Sequence, residues 1–258
     1  MLPYVGTSSI FGVNVVRSFS LNLAGSYVTG LEGVEIAGGA NVESGFACGV
    51  QMARSANVVA GPVSGWQLAG GANGGGALDG AQTAGALNLA SDVRGIQLGA
   101  IDIATGGVVG AQVGAVNVAA GDVEGAQVGA VNVAAGGVEG VQIGAINVAR
   151  RSTFSLGAIT LVPEGRTHLD LWWGMESGLV MAGLKHGGGH FHNIYGFGIR
   201  PGSTDGDGFQ WAIVLGFGGH FPVSSRIFVD ADLLVNSLFT SESPSATRCC
   251  RSYARSWA

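Results

Sequence analysis

Between residues 33 and 149 the chain alternates small and β-branched residues with polar ones, in a pattern that recurs every 15 or 16 residues. Two of the units read GAQVGAVNVAAGDVE from Gly110 and GAQVGAVNVAAGGVE from Gly125. Alternation of this kind predicts β-strands, and the Gly, Asp and Ser residues that end each unit predict tight turns. The recurrence predicts a repeat array over residues 33–150.

Each unit carries a glutamine, or Glu35 in the first unit, that is followed five or six residues later by an asparagine or an aspartate. In a β-solenoid every repeat is one coil, so equivalent residues stack at the strand spacing and side-chain amides can hydrogen bond along the axis. The repeat therefore predicts amide ladders. The predicted ladder residues are Gln51, Asn57, Gln67, Asn73, Gln82, Asn88, Gln97, Asp102, Gln112, Asn117, Gln127, Asn132, Gln142 and Asn147.

The phase of the apolar positions changes within the later units. Ala126 and Val128 share one phase and Val131 and Val133 share the other, so the inward face must switch near Gly129, as at a solenoid corner or a β-bulge. The 16-residue units keep a single phase, as a straight strand would. Two assemblies therefore stay open, a β-solenoid and an outer-membrane β-barrel throughout. The solenoid is favoured because a barrel has no physical need for every strand to repeat the same sequence.

From residue 154 onward the repeat ends and the chain becomes aromatic. Leu169, Leu171 and Trp173 face one way and the residues between them the other, which is typical of an antiparallel sheet with two different faces. The predicted strands are Phe154–Leu161, Arg166–Trp173, Gly178–Lys185, Phe191–Ile199, Phe209–Gly218 and Arg226–Val235. The predicted fold is therefore all-β, with a solenoid-like repeat array plus an antiparallel β-sheet.

The same pattern divides the chain into four segments. An N-terminal strand or cap segment covers residues 1–32, and the repeat array covers 33–150. The antiparallel region covers 151–239, and an irregular tail covers 240–258.

Composition excludes several classes of protein. The chain has 47 glycines but only 6 prolines, and charged residues make up 11% while hydrophobic residues make up 47%. Such a chain can bury a core, which argues against disorder, and its glycines lack the three-residue period of collagen. The net charge of −5 argues against a nucleic-acid partner. No apolar run reaches the ~20 residues of a membrane-spanning helix, whereas low charge with high apolar content also fits outer-membrane strands.

Candidate metal sites are few. His190 and His192 are two apart in a predicted strand and would face the same way, but spacing fixes no third ligand, so no metal site is predicted. Asp205 and Asp207 resemble part of a calcium loop that lacks its distal glutamate, and a plain turn is favoured. The three cysteines have neither a disulfide nor a zinc spacing.

Asp230 and Asp232 share one face of a predicted strand and could in an enzyme divide acid and base roles. No Ser, Cys or His is arranged near them in sequence, so a solvated face is favoured. The sequence therefore predicts no catalytic residue, no enzyme activity and no cofactor.

The units of the GVQIGAINVA type resemble those of the surface-repeat proteins of Gram-negative bacteria, in which glycine-rich GxQxGxxN repeats precede an aromatic C-terminal β region. The segments HFHNIY from His190 and FVDADLL from Phe228 contribute to the resemblance, which covers about residues 13–239. It implies an exported protein of the outer membrane or cell surface. Two departures are a start without the basic and apolar regions of a signal peptide, which leaves a truncated start open, and a Ser/Arg-rich tail that contains Cys249 and Cys250.

The expected function is structural or adhesive, without catalysis. The alternative is an outer-membrane pore or transport-type β-barrel, in which the glutamines and asparagines would face a wet lumen. The expected partner is outer-membrane lipid or a surface ligand, with no nucleic acid, and the sequence predicts no particular oligomeric state.

Overall fold

The computed structural model describes residues 15–175, 177–201, 209–223 and 228–241. Of these described residues 77% lie in strands, and none lies in a helix. They form a parallel β-solenoid of about 10 turns and a separate antiparallel sheet. The predicted all-β fold, with a solenoid-like array plus an antiparallel sheet, is therefore confirmed.

Sixteen strands build the solenoid. Their bounds are β1 Val16–Asn22, β2 Gly25–Ala37, β3 Ala40–Ala53, β4 Ala56–Val59, β5 Val63–Ala69, β6 Ala72–Gly74, β7 Leu78–Ala84, β8 Leu87–Ala90, β9 Val93–Leu98, β10 Ile101–Ala104, β11 Val108–Val113, β12 Val116–Ala119, β13 Val123–Val128, β14 Val131–Ile143, β15 Ile146–Leu156 and β16 Ile159–Leu161.

Successive coils pair in parallel and in register. Gln112 in β11 lies between Gln97 in β9 and Gln127 in β13. One stack contains β5, β7, β9, β11 and β13, and a second contains β4, β6, β8, β10 and β12, while the longer β3 and β14 belong to both. The repeats therefore do not adopt the antiparallel neighbours that the alternative fold required. Gly129 lies in the corner between β13 and β14, where the phase of the sequence changes.

One glycine in each coil adopts a backbone conformation that other residues rarely take. At Gly125 the φ angle is 135°, and an added Cβ would lie 2.0 Å from the carbonyl oxygen of Gly110 in the preceding coil. A side chain here would therefore be strained and would also clash with the stacked backbone. The equivalent positions with positive φ are Gly33, Gly49, Gly65, Gly80, Gly95, Gly110 and Gly140.

The parallel stack continues on both sides of the repeat units. β1 pairs in parallel with β2, and β15 pairs in parallel with β14 and β16. The segment Phe154–Leu161, predicted as one strand of the antiparallel region, instead forms the end of β15 and the whole of β16, on either side of a corner at Gly157. Coil geometry persists there because Phe154 pairs with Val141 and Leu156 with Ile143, although the repeat motif has ended.

The interior of each coil divides into two halves. Glutamine and asparagine side chains occupy one half, and apolar side chains pack together in the other. Burial of one leucine or valine side chain contributes about 1.5–3 kcal/mol to the stability of the fold, and burial of one alanine contributes less. The apolar cluster consists of Leu31, Ala47, Val59, Val63, Leu78, Ala90, Val93, Ala104, Val108, Ala119, Val123, Ala134, Val138 and Ala149.

The second sheet has five antiparallel strands in sequential order. Leu179, Met181, Ala212 and Val214 form its buried cluster, against which Trp172 and Leu234 pack. The chain divides into two compact units, one containing residues up to 166 with 186–192 and 219–230, and the other containing the remainder. The strands are β17 Arg166–Gly174, β18 Leu179–Gly187, β19 Phe191–Ile199, β20 Phe209–Pro222 and β21 Phe228–Ser241.

Candidate functional site

A continuous row of buried glutamines runs along the inside of the solenoid. From Gln67 onward each Nε2 donates to Oε1 of the glutamine one coil nearer the N-terminus, at 2.8–2.9 Å. From Gln82 onward the same nitrogen also donates to a backbone carbonyl of its coil at 3.2–3.3 Å, as Gln112 does to Val118. The glutamine ladder comprises Gln51, Gln67, Gln82, Gln97, Gln112, Gln127 and Gln142.

A second row of buried amides runs in the opposite direction. The Nδ2 of Asn132 donates to Oδ1 of Asn147, one coil nearer the C-terminus, at 2.8 Å, and to the carbonyl of Ile143 at 2.9 Å. The row begins at Asn41, which is not one of the predicted ladder residues although it lies one 16-residue period before Asn57. Because the donors of the two ladders point in opposite directions, their amide dipoles oppose each other. The asparagine ladder comprises Asn41, Asn57, Asn73, Asn88, Asp102, Asn117, Asn132 and Asn147.

Asp102 interrupts the asparagine ladder. It accepts a hydrogen bond from Nδ2 of Asn88 at 2.7 Å, but its Oδ2 and the Oδ1 of Asn117 are both buried without a hydrogen-bond partner. Both atoms are acceptors while Asp102 is ionised, so no hydrogen bond can join them. Burial raises the pKa of Asp102 to about 6, although the hydrogen bond from Asn88 opposes this effect. Only the protonated carboxyl group has a donor for Asn117.

Two acidic side chains lie at the N-terminal end of the glutamine ladder. Glu35 pairs in register with Gln51 and accepts a hydrogen bond from Nδ2 of Asn22 at 3.2 Å. Glu43 is 1% exposed. Burial, together with the neighbouring Glu35 carboxylate, raises the pKa of Glu43 to about 9. Glu43 is therefore protonated at neutral pH, which avoids two adjacent negative charges in the interior.

The outward side chains at one corner of the later coils are aliphatic. We define the apolar edge as three rows, two of which flank the corner and one of which lies at its tip. In the first row Leu98, Val113, Val128 and Ile143 are 40%, 40%, 38% and 41% exposed, and the tip row is exposed throughout. The rows are Leu98, Val113, Val128, Ile143 and Leu156; Ala100, Ala115, Ala130, Ala145 and Ala158; and Ile101, Val116, Val131, Ile146 and Ile159.

The opposite corner of the same coils carries charge. The Oδ1 of Asp122 accepts a hydrogen bond from the backbone N–H of Gly137 at 2.6 Å, so this side chain also caps the turn of the next coil. Asp92 does the same for Gly107 at 3.0 Å. We define the charged edge by the exposed residues Asp92, Arg94, Asp122, Glu124, Glu139, Arg150 and Arg151.

The histidines singled out in the sequence differ in their surroundings. His190 is exposed and precedes β19, whereas His192 is buried within that strand. Within the part of the chain that the structure describes, no group of three or more His, Cys, Asp or Glu side chains could hold a metal ion. Asp205 and Asp207 lie outside the described residues.

Asp230 and Asp232 each contact a basic side chain. The Oδ1 of Asp230 lies 2.7 Å from Nδ1 of His220. The Oδ2 of Asp232 lies 2.6 Å from Nζ of Lys185, which also pairs with Asp170 at 2.8 Å. Burial lowers the pKa of Lys185, but the two carboxylates outweigh that effect and the net direction is upward. The carboxylates of Asp170 in β17 and Asp232 in β21 therefore both contact the ammonium group of Lys185 in β18.

No protein-family model, curated protein or solved structure matches the chain. Across residues 15–175, 177–201, 209–223 and 228–241, no helix is long and apolar enough to cross a membrane.

Proposed function

We propose that the chain is a non-catalytic structural or adhesive repeat protein of the bacterial outer membrane or cell surface. The observation that carries the proposal is the burial of its recurring polar residues. The glutamines and asparagines of the repeat point inward and hydrogen bond to their counterparts in neighbouring coils. Residues repeated in order to bind a polar ligand would lie on the outside, whereas these residues hold the coils in register.

The ladders support a scaffold role because they stiffen the stack. An internal hydrogen bond contributes about 1 kcal/mol net, and an unsatisfied buried amide costs about 1–3 kcal/mol. A one-residue slip between coils would break the ladder bonds of both rows at once. Each added coil supplies the same contacts, so stability increases with the number of coils. The result is a rod of fixed register that presents regular rows of side chains.

The interior favours a scaffold over the alternative of a transport-type pore. In a pore the amides would face water, whereas here the amide of Gln112 bonds to Gln97 and to a backbone carbonyl. The other half of the interior is filled by the cluster of valine and alanine side chains that includes Val123 and Ala134. The ladder hydrogen bonds use the amide groups that would line a water-filled pore, and the apolar cluster fills the remaining space.

Two observations support a location in the cell envelope. One is the resemblance of the GVQIGAINVA units to the surface-repeat proteins of Gram-negative bacteria. The other is the amount of aliphatic surface, since contiguous exposed apolar rows mark protein or membrane contacts more often than free solvent-facing surface. The apolar edge extends over five successive coils.

The location is tested in the source bacterium with an antibody raised against the purified chain. We expect the protein in the outer-membrane or surface fraction, and we expect protease added to intact cells to digest it while a cytoplasmic marker stays intact. Recovery of the chain in the cytoplasmic fraction, protected from the protease, would overturn the proposal.

A further inference from the structure

We propose that the apolar edge inserts into the interfacial region of a lipid membrane while the charged edge stays in water. The inference rests on the proposed envelope function, and it names the partner of the solenoid as a lipid surface. Three features of the solenoid carry it: the sorting of outward side chains by corner, the hydrogen bonding of the backbone around Gly129 and the absence of charge from the apolar edge.

The sorting of side chains makes the later coils amphipathic. Around the corner between β13 and β14 the outward residues are Val128, Ala130 and Val131, and the opposite corner of the same coil carries Asp122 and Glu124. A structure that lies in a membrane interface needs an apolar side and a polar side of this kind. Because the aliphatic rows continue around the corner onto two sheet faces, a fluid lipid phase covers them both, whereas a flat protein partner would cover one.

At the corner between β13 and β14 the backbone N–H groups of residues 129–131 are hydrogen bonded within the solenoid. The N–H of Gly129 donates to the carbonyl of Ile143 at 3.0 Å, and the N–H of Val131 donates to the carbonyl of Ala115 at 3.0 Å. The carbonyl of Ile143 receives a second hydrogen bond, from Asn132. Hydrocarbon offers no partner to a free N–H or C=O, so lipid insertion demands this closure, whereas a protein partner does not.

The charge distribution selects the kind of lipid. The apolar edge has no charged side chain in its three rows, and the charged edge has four acidic residues and three arginines. Because the edge that inserts carries no cation to attract an anionic headgroup, its insertion rests on apolar contact alone and a zwitterionic surface is sufficient. We expect vesicles of neutral phosphatidylcholine to bind the protein at least as well as vesicles that contain anionic lipid.

The earlier coils provide natural precedents for polar residues at this corner. Ser55 occupies the position of the alanine tip row, and Thr83 pairs in register with Leu98 of the first aliphatic row. Both coils keep the same parallel pairing. Polar substitutions in the later coils are therefore compatible with folding, and insertion is expected only where the rows are aliphatic.

The test is flotation of the full chain with neutral phosphatidylcholine vesicles, which compares Ala130→Glu with Ala135→Glu. Both alanines are exposed and belong to the same coil, but Ala130 lies at the apolar edge and Ala135 at the charged corner. We expect Ala130→Glu to lower the lipid partition coefficient at least tenfold and Ala135→Glu to change it less than twofold. Far-UV circular dichroism checks that both variants keep their β-structure.

The double variant Val113→Thr with Val128→Thr tests the same edge without adding charge, and Thr83 is its natural precedent. We expect at least a threefold loss of partitioning. An equal effect of the two glutamate variants, or full binding by the threonine variant, would overturn the inference. Absence of wild-type flotation, or self-association through the apolar edge in sedimentation instead, would also overturn it. None of these results would change the digestion by protease on intact cells, which is the test of the proposed function.

Discussion

The interruption of the asparagine ladder at Asp102 predicts that Asp102→Asn stabilises the solenoid. The asparagine amide keeps the oxygen that accepts the bond from Asn88, and it places a donor beside the unpaired Oδ1 of Asn117. The same substitution removes a charge from a fully buried position. Both changes act in the same direction.

The magnitude follows from the pKa of Asp102. A rise from 3.8 to about 6 means that the ionised group costs the folded state about 2–3 kcal/mol above pH 6. The restored ladder bond adds about 1 kcal/mol. We therefore expect Asp102→Asn to raise the free energy of unfolding by about 3–4 kcal/mol at neutral pH.

The pH dependence gives a sharper test. The Asp102 carboxyl group binds its proton more tightly in the folded state than in the unfolded chain. The free energy of unfolding of the wild type therefore falls as pH rises from about 4 through 6, and above that pH the contribution of Asp102 stays low. Below pH 4 the carboxyl group is protonated in both states and can itself donate to Asn117. The advantage of Asp102→Asn should therefore shrink as the pH is lowered from neutral to 4.

Denaturant unfolding followed by far-UV circular dichroism measures these differences, provided that the m values stay equal. Asp79→Asn is a matched control, because Asp79 is exposed and its neutralisation should change stability by less than about 0.5 kcal/mol. The reasoning fails if Asp102→Asn is no more stable than wild type at neutral pH. It also fails if the difference between the two proteins is independent of pH.

Three further predictions use the same unfolding measurement. Gln112→Leu should lower the free energy of unfolding by about 2–4 kcal/mol because it breaks the glutamine ladder on both sides. Val113→Leu, on the outside of the same coil, should leave it nearly unchanged, and similar losses for the two variants would contradict a stabilising role of the ladder. Gly125→Ala should cost about 3 kcal/mol or more, while Gly74→Ala, where an added Cβ meets nothing within 4 Å, should cost far less. Glu43→Gln should abolish a loss of stability that wild type shows as pH rises from about 4.5 to 9; an unchanged pH profile would mean that Glu43 is not the buried acid.

The sequence predicted the stacked assembly because identical residues recur at a nearly constant offset, which a parallel in-register stack requires. It also placed the corner near Gly129 through the change of phase. The direction of each ladder could not be predicted, because spacing does not determine which neighbour an amide nitrogen faces. The unpaired acceptors at Asp102 and Asn117 likewise depend on the side-chain positions of both coils.

The extent of the stack was also harder to predict than its core. The residues after 150 lose the Gln and Asn motif, yet Ser152 and Phe154 still pair in parallel with the preceding coil, with shifts of register on either side of Ser152. Backbone hydrogen bonding continues the coil where the side-chain signal stops. The sequence pattern gives no sign that Glu43 is buried, and its burial together with the neighbouring Glu35 raises its pKa.

The near identity of successive coils makes the length of the rod adjustable in whole steps. The units that begin at Gly110 and Gly125 differ at a single position, where Asp122 corresponds to Gly137. Loss of one unit would join chain ends that already match, so every remaining coil would keep its neighbours and the rod would shorten by one strand spacing, about 4.8 Å. Gain of a unit would lengthen it equally and extend each of the three rows of the apolar edge by one residue. Recombination between such similar segments could therefore tune the length of the rod and of its apolar edge together, without any change in the contacts that fold it.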